Sequence, residues 1–143
     1  MSNLCDTLFL IKGVYSKCIN PLCKKYDLNQ MEFSILLLLS ENPKLDTAQK
    51  IVDTYHLSKS HVSTSLNNLE RKGYLKRMRE EGKRKNVSLL IMEKGGIVIK
   101  DGEKSLRELE KTITLGIPDV EINLIEKIFE TVNLNMKEFL TEK

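Results

Sequence analysis

The stretch "NQMEFSILLLLSENP", Asn29 to Pro43, constrains the fold of this chain more than any other. Every residue from Ile35 to Leu39 is apolar, so a helix here has no polar face and must be enclosed by other elements. Its ends are also legible. Asn29 is placed as N-cap with Glu32 at the capping-box position, and Asn42-Pro43 is a stop. The 143 residues suffice for one domain with a real core and not for two large ones. A composition of 41% hydrophobic and 30% charged residues is that of an ordinary globular chain rather than a disordered one. No apolar run approaches the roughly 20 residues of a membrane span. The N-terminus lacks the basic-then-apolar layout of a signal peptide. The expectation is a soluble, cytoplasmic protein with no membrane partner.

Three cysteines, Cys5, Cys18 and Cys23, crowd the first quarter of the chain. An odd count without a C-x-x-C pair is not a disulfide framework. The two histidines, His56 and His61, lie far from them, so neither a structural zinc site nor any other metal or cofactor is expected.

The enclosing elements follow. From Ser2 to Lys25, apolar residues at Leu4, Leu8, Ile11, Tyr15, Cys18 and Leu22 alternate steps of four and three, a helix seam that Pro21 should kink or end. "LDTAQKIVDTYHL" predicts a short helix capped by Asp46, with Ala48, Ile51, Val52 and Tyr55 on its buried face. His56-Leu57 forms a tight turn, and Ser58 caps the next helix. Two short helices joined by about three residues make a helix-turn-helix candidate.

The second of these helices has an unusual outer surface. At about 100° per residue, Val62, Leu66, Leu69 and Gly73 fall within about 40° of one line. Opposite lie Ser60, Thr64, Asn67 and Arg71, flanked by His61 and Asn68, with Ser58 and Lys59 at the start. A surface helix under no other demand gains from long charged residues in i,i+4 pairs. Short hydroxyls and amides instead let a helix sit deep in a major groove and bond base edges or phosphates; Asn suits adenine, and Arg suits guanine or phosphate. After Gly73, "YLKRMR" and "KNVSLLIM" predict a hairpin turning at Gly82. Its arms and tip carry Lys76, Arg77, Arg79, Lys83, Arg84 and Lys85, a basic wing placed to reach phosphate or an adjacent minor groove. Net charge is only +3, but residues 56–87 hold nine Lys/Arg against three acids, a balance of +6 in a chain otherwise at −3. That is the footprint of a polyanion binder.

A long helical stretch follows from Glu93, with apolar steps at Leu106, Leu109 and Ile113 and with Gly95, Gly96 and Gly102 lowering its early propensity. It ends near Gly116, and Pro118 opens a last helix through Ile125, Ile128, Phe129, Val132, Met136 and Phe139. Long terminal helices with apolar seams either pack within the monomer or form a self-association surface.

The order helix, helix, helix-turn-helix, basic wing, two long helices resembles the MarR family of winged-helix transcriptional regulators. "SKSHVSTSLNNLERKGYLKR" is similar to the family's recognition helix with its L-x-x-L-E-x-x-G-h-h ending, and "VSLLIMEKG" to its L-T-x-x-G close. The resemblance covers essentially the whole chain. It implies a mainly α fold with a small β-hairpin wing, that is, a winged helix-turn-helix domain flanked by N- and C-terminal dimerisation helices. It places a single MarR-type domain at 1–143, with 28–92 as the DNA-binding part and 1–25 and 93–143 as dimerisation helices. It implies a homodimer on pseudo-palindromic double-stranded DNA, usually a repressor released by a small-molecule effector or an oxidant. The effector's pocket would lie between the dimerisation helices and the winged unit.

Two departures stand out. Family wings carry Asp-x-Arg near the tip; here "REEGKRKN" makes Glu80 or Glu81 the acid and Arg84 the arginine. The threonine usual at the next helix start is Met92. Cys5 sits where the OhrR-like peroxide-sensing branch keeps its reactive cysteine, which makes it a candidate redox sensor. The tyrosines that support that thiol are replaced by residues such as Ile19 and Gln30, and Asp6 next door opposes a thiolate that a helix N-terminus favours.

The competing class is a winged-helix interaction module that never touches nucleic acid; a cationic hairpin serves no purpose there. An enzyme is not expected, since there is no glycine-rich phosphate loop, nucleophile elbow or metal-ligand cluster. His56 and His61, five apart, stand about 140° apart around a helix and do not share a face. In the DNA-binding reading, Arg84→Ala weakens binding across sequences while Asn67→Ala alters base preference.

Overall fold

The computed structural model describes residues 3–79, 81 and 87–142. Six helices and one hairpin follow the chain as α1 (Leu4–Lys25), α2 (Gln30–Glu41), α3 (Ala48–Tyr55), α4 (Lys59–Arg71), β1 (Leu75–Arg79), β2 (Val87–Ile91), α5 (Glu93–Ile113) and α6 (Asp119–Thr141). The expected class, mainly α with a hairpin wing, is what is observed.

The centre is α2. Phe33, Ile35 and Leu36 are wholly buried, and Leu37 and Leu39 nearly so, because α1, α4, α5 and the hairpin surround the helix. Asn29 and Glu32 form the capping box: the Asn29 side chain accepts from the Glu32 amide at 2.8 Å, and the Asn29 amide donates to Glu32 Oε2 at 3.1 Å. The helix stops at Glu41 with Asn42 as C-cap, as the Asn42-Pro43 step requires.

Three local expectations are corrected. Pro21 does not end α1, which continues to Lys25. Pro21 is exposed, so the carbonyl it leaves unbonded can turn to water, while buried Ile19 and Cys23 hold the helix from both sides. Thr47, not Asp46, caps α3; its hydroxyl accepts the Lys50 amide at 3.2 Å, while Asp46 bonds the Lys50 ammonium at 2.6 Å. Gly73 does not extend the buried line of α4. It lies exposed beyond the helix at φ +79°, closing a Schellman turn in which Tyr74 N–H bonds Leu69 O and Gly73 N–H bonds Glu70 O.

The glycines of α5 also have a role that propensity did not suggest. Gly95 and Gly102 are buried where the helix crosses the rest of the core. A Cβ on Gly95 would stand 2.3 Å from the main-chain oxygen of Tyr74, and one on Gly102 2.6 Å from the Phe33 ring. Met92 precedes α5 without any side-chain cap. No helix is long and apolar enough to cross a membrane among the described residues.

The outer helices are bare. Leu8, Phe9, Leu10 and Ile11 of α1 are more than half exposed, and α6 buries no residue fully.

Candidate nucleic-acid interface

Helices α3 and α4 meet through His56, which takes the left-handed conformation at φ 52° and turns the chain so that Leu57 N–H bonds Val52 O. Ser58 then caps α4, its hydroxyl accepting the His61 amide at 3.4 Å and lying 3.0 Å from the Ser60 hydroxyl. Val62, Ser65, Leu66 and Leu69 face inward and are buried. Lys59, Ser60, His61, Thr64, Asn67 and Arg71 are exposed, as the helical wheel requires. Ser63 is exposed with them. It was missed, although the wheel puts it about 60° from Ser60 on the same side.

Asn68 is the exception. It is partly buried, and its amide donates to Glu32 Oε1 at 3.0 Å, while its oxygen accepts from Arg71 Nη2 at 3.4 Å. Its place at the edge of the buried face outweighs its polarity, so it joins α4 to α2 rather than presenting an amide outward.

The wing is antiparallel, with Leu75 opposite Ile91 and Arg79 opposite Val87. It is anchored to the body by Leu89 N–H on Asp46 O at 2.7 Å, and its base is closed by Met92 N–H on Tyr74 O at 3.0 Å. Lys76 and Arg79 are exposed. Arg77 instead folds back on α4: its guanidinium lies 2.8 Å from Asn67 Oδ1 and 3.3 Å from Glu70 Oε1, and its main-chain N–H donates to Glu70 Oε2 at 2.9 Å. That backbone bond, with the charge of Arg77 second, holds the Glu70 carboxyl below its ordinary range. The link fixes the wing's root to the outward face of α4, a coupling that spacing along the chain did not reveal. Gly82, Lys83, Arg84, Lys85 and Glu80, the expected turn, tip cations and one candidate acid, lie outside the described residues.

Cys5 is exposed in the first turn of α1. Ile19 is wholly buried, and the Gln30 amide is engaged by Ser16 and Asn20, each at 3.0 Å. Cys18 and Cys23 belong to the core side of α1, and burial pushes both thiols up. No group of metal-ligating side chains occurs among the described residues.

A capped helix-turn-helix, a hairpin locked to its second helix, and long flanking helices define a winged helix-turn-helix protein. Residues 26–85 match the sequence model of the MarR family. It is 28% identical over 95 residues to the HTH-type transcriptional regulator PecS of Dickeya dadantii, a match covering 65% of this chain and 57% of that protein. The chain thus spans little more than half the length of that relative. In fold it is similar to a MarR transcriptional regulator from Methanosarcina mazei (TM-score 0.83, 18% identity, 97% of this chain and 99% of the other). It is also similar to a MarR family regulator from Listeria monocytogenes solved in complex with a 26mer DNA (TM-score 0.81, 20% identity, 96% and 90%). All three bear the name of transcriptional regulators.

Proposed function

We propose that this chain is a sequence-specific DNA-binding transcriptional regulator: a cytoplasmic homodimer, without enzymatic activity, that represses from a pseudo-palindromic operator. One observation carries the reading. The face of α4 opposite its buried stripe is a continuous exposed set of short polar and basic side chains, Lys59, Ser60, His61, Ser63, Thr64, Asn67 and Arg71. Such residues fit a major groove, where hydroxyls and amides reach base edges and Arg or Lys reaches guanine or phosphate. Lys76 and Arg79, with Lys83, Arg84 and Lys85 between the two strands in the sequence, supply the salt-dependent part of the affinity. Residues 28–92 act as the reading unit, and 1–25 with 93–143 as the dimerisation helices.

Release follows a ligand rather than an oxidant. Between α3 and the end of α6, where winged unit and outer helix meet, lies a cavity of about 680 Å³ lined by Val52, Asp53, His56, Leu57, Leu140, Thr141 and Glu142. Cys5 is poorly served as a sensor, since Ile19 is buried and Gln30 is bound elsewhere.

The test is retention of a random duplex library by the purified, reduced protein, followed by sequencing. An enriched inverted repeat with half-sites about one helical turn apart is expected. Retention without a motif, vanishing as salt rises, would reduce the protein to a non-specific polyanion binder. No retention at low salt would favour the interaction-module reading. On the enriched operator, Cys5→Ser should leave peroxide sensitivity unchanged; loss of such sensitivity would restore Cys5 as a sensor.

A further inference from the structure

Lys72 belongs to the basic stretch yet does not face outward. Its side chain is only 20% exposed; the ammonium donates to the main-chain oxygen of Asp27 and lies 3.2 Å from Glu32 Oε2. The Glu32 side chain is 2% exposed, and both of its oxygens are fully engaged. Oε1 accepts from the side-chain amides of Asn29 at 3.2 Å and Asn68 at 3.0 Å, and Oε2 from the Asn29 main chain at 3.1 Å and from Lys72. A capping box needs only the bond back to its own N-cap. Here the same carboxylate also reaches across to Asn68 and Lys72, four apart on one side of the last turn of α4 and its C-cap.

The end of α4 is tied from a second direction. Lys94 of α5 donates to the Lys72 carbonyl at 2.8 Å and stands 4.5 Å over the Tyr74 ring. The Tyr74 hydroxyl donates to the Tyr26 carbonyl at 2.6 Å, and the Tyr26 hydroxyl donates to Asp101 of α5. A ring of polar bonds therefore joins the end of the candidate reading helix to the elbow between α1 and α2 and to α5.

We propose that Glu32 is a positioning residue: its carboxylate, clamped between Asn68 and Lys72, fixes the angle at which α4 leaves the α1–α2 elbow. A buried ion pair of this kind is seldom more stabilising than apolar packing of the same volume. What it supplies is direction, because four hydrogen bonds to one planar group define a rotation that apolar contacts would let slide. In a dimer, that angle sets the distance between the two reading helices, and hence the spacing of half-sites the protein accepts. This last step rests on the DNA-reading proposal above; the clamp itself does not.

The experiment has two readouts on the full chain, wild type against Glu32→Gln, Lys72→Met and Lys72→Arg. The first is amide hydrogen exchange of the free protein. In Glu32→Gln and Lys72→Met, the amides of Lys72, Gly73 and Tyr74 should exchange roughly tenfold faster, the effect of losing one charged hydrogen bond from a local opening. Those of Leu36 to Leu39 should be unchanged, and Lys72→Arg should behave as wild type. The second is selection from duplexes in which half-site spacing varies: base preference should persist while the accepted spacing broadens by about one base pair. Uniform acceleration along all helices, or none, overturns the clamp and leaves Glu32 an ordinary cap. Local acceleration with unchanged spacing preference overturns its positioning role. If wild type selects no inverted repeat, the DNA-reading proposal and the spacing role fall together, and exchange alone decides whether the clamp exists. Should Glu32→Gln fail to fold, Lys72→Met, which alters a partly exposed side chain, decides the matter.

Discussion

Gly95, Gly96 and Gly102 look alike in the sequence and have different physical roles. Gly95→Ala drives a methyl into the Tyr74 carbonyl, a main-chain atom that cannot rotate away, whereas Gly102→Ala meets the edge of the Phe33 ring. Overpacking of this kind costs about 1–3 kcal/mol, with Gly95 at the upper end. Gly96 has open space around its Cβ position, so Gly96→Ala should stabilise by up to about 1 kcal/mol through helix propensity. Urea midpoints of the three variants check the order; destabilisation by Gly96→Ala would contradict it. Caps separate in the same way. Thr47→Ala should cost about 1 kcal/mol in the same assay, and Asp46→Ala less, because Asp46 contributes an exposed i,i+4 ion pair rather than the cap.

At the scale of elements, what matters is how helices are joined. Asp101 ties α5 to α1: the Tyr26 hydroxyl first, and the Lys25 ammonium at 3.1 Å second, hold its carboxyl below the ordinary range. A carboxyl with a depressed folded-state value stabilises fully above the unfolded value of about 3.9 and loses that contribution as pH falls through the folded value. Acidification below about pH 4 should therefore loosen the α1–α5 join. Asp101→Asn should flatten the acid limb of a stability-against-pH curve while lowering stability at neutral pH. An unaltered acid limb would mean the pairing is absent in solution. The second join is Arg77 between Asn67 and Glu70. Arg77→Ala should detach the wing's root from α4, free the Asn67 amide, and weaken operator binding by roughly tenfold or more, the worth of one charged hydrogen bond. Titration of labelled operator measures it, and unchanged affinity would show that the wing is placed without this link.

The whole molecule carries more apolar surface than one copy can cover. Phe9 is 73% exposed, Leu115 87% and Phe139 76%, on elements that flank the winged unit at both ends of the chain. Large apolar side chains left this exposed, when they gather into one patch, mark association surfaces. A second copy laid against α1 and α6 would bury them and bring two reading helices onto one duplex. Sedimentation equilibrium should report a dimer. Phe129→Glu should weaken it by roughly a hundredfold or more, because an unpaired buried carboxylate costs several kcal/mol. A monomeric wild type at micromolar concentration would overturn the homodimer and with it the two-half-site operator.

Features governed by neighbours along the chain were legible in the amino-acid order. The all-apolar Ile35–Leu39 core helix, the Asn29–Glu32 box, the Ser58 cap and the outward set on α4 follow from helical periodicity and from main-chain groups within a turn or two. Packing decided the rest. Helix α1 outlasts Pro21 because the core holds it on both sides, and Asn68 and Lys72 turn inward because Glu32, far off in sequence, lies buried beneath them. Gly95 and Gly102 are required by surfaces that only the crossing of α5 over Tyr74 and Phe33 creates. Local patterns record which face of an element is apolar. Which distant group that face or its edge will meet is set only when the elements are in contact.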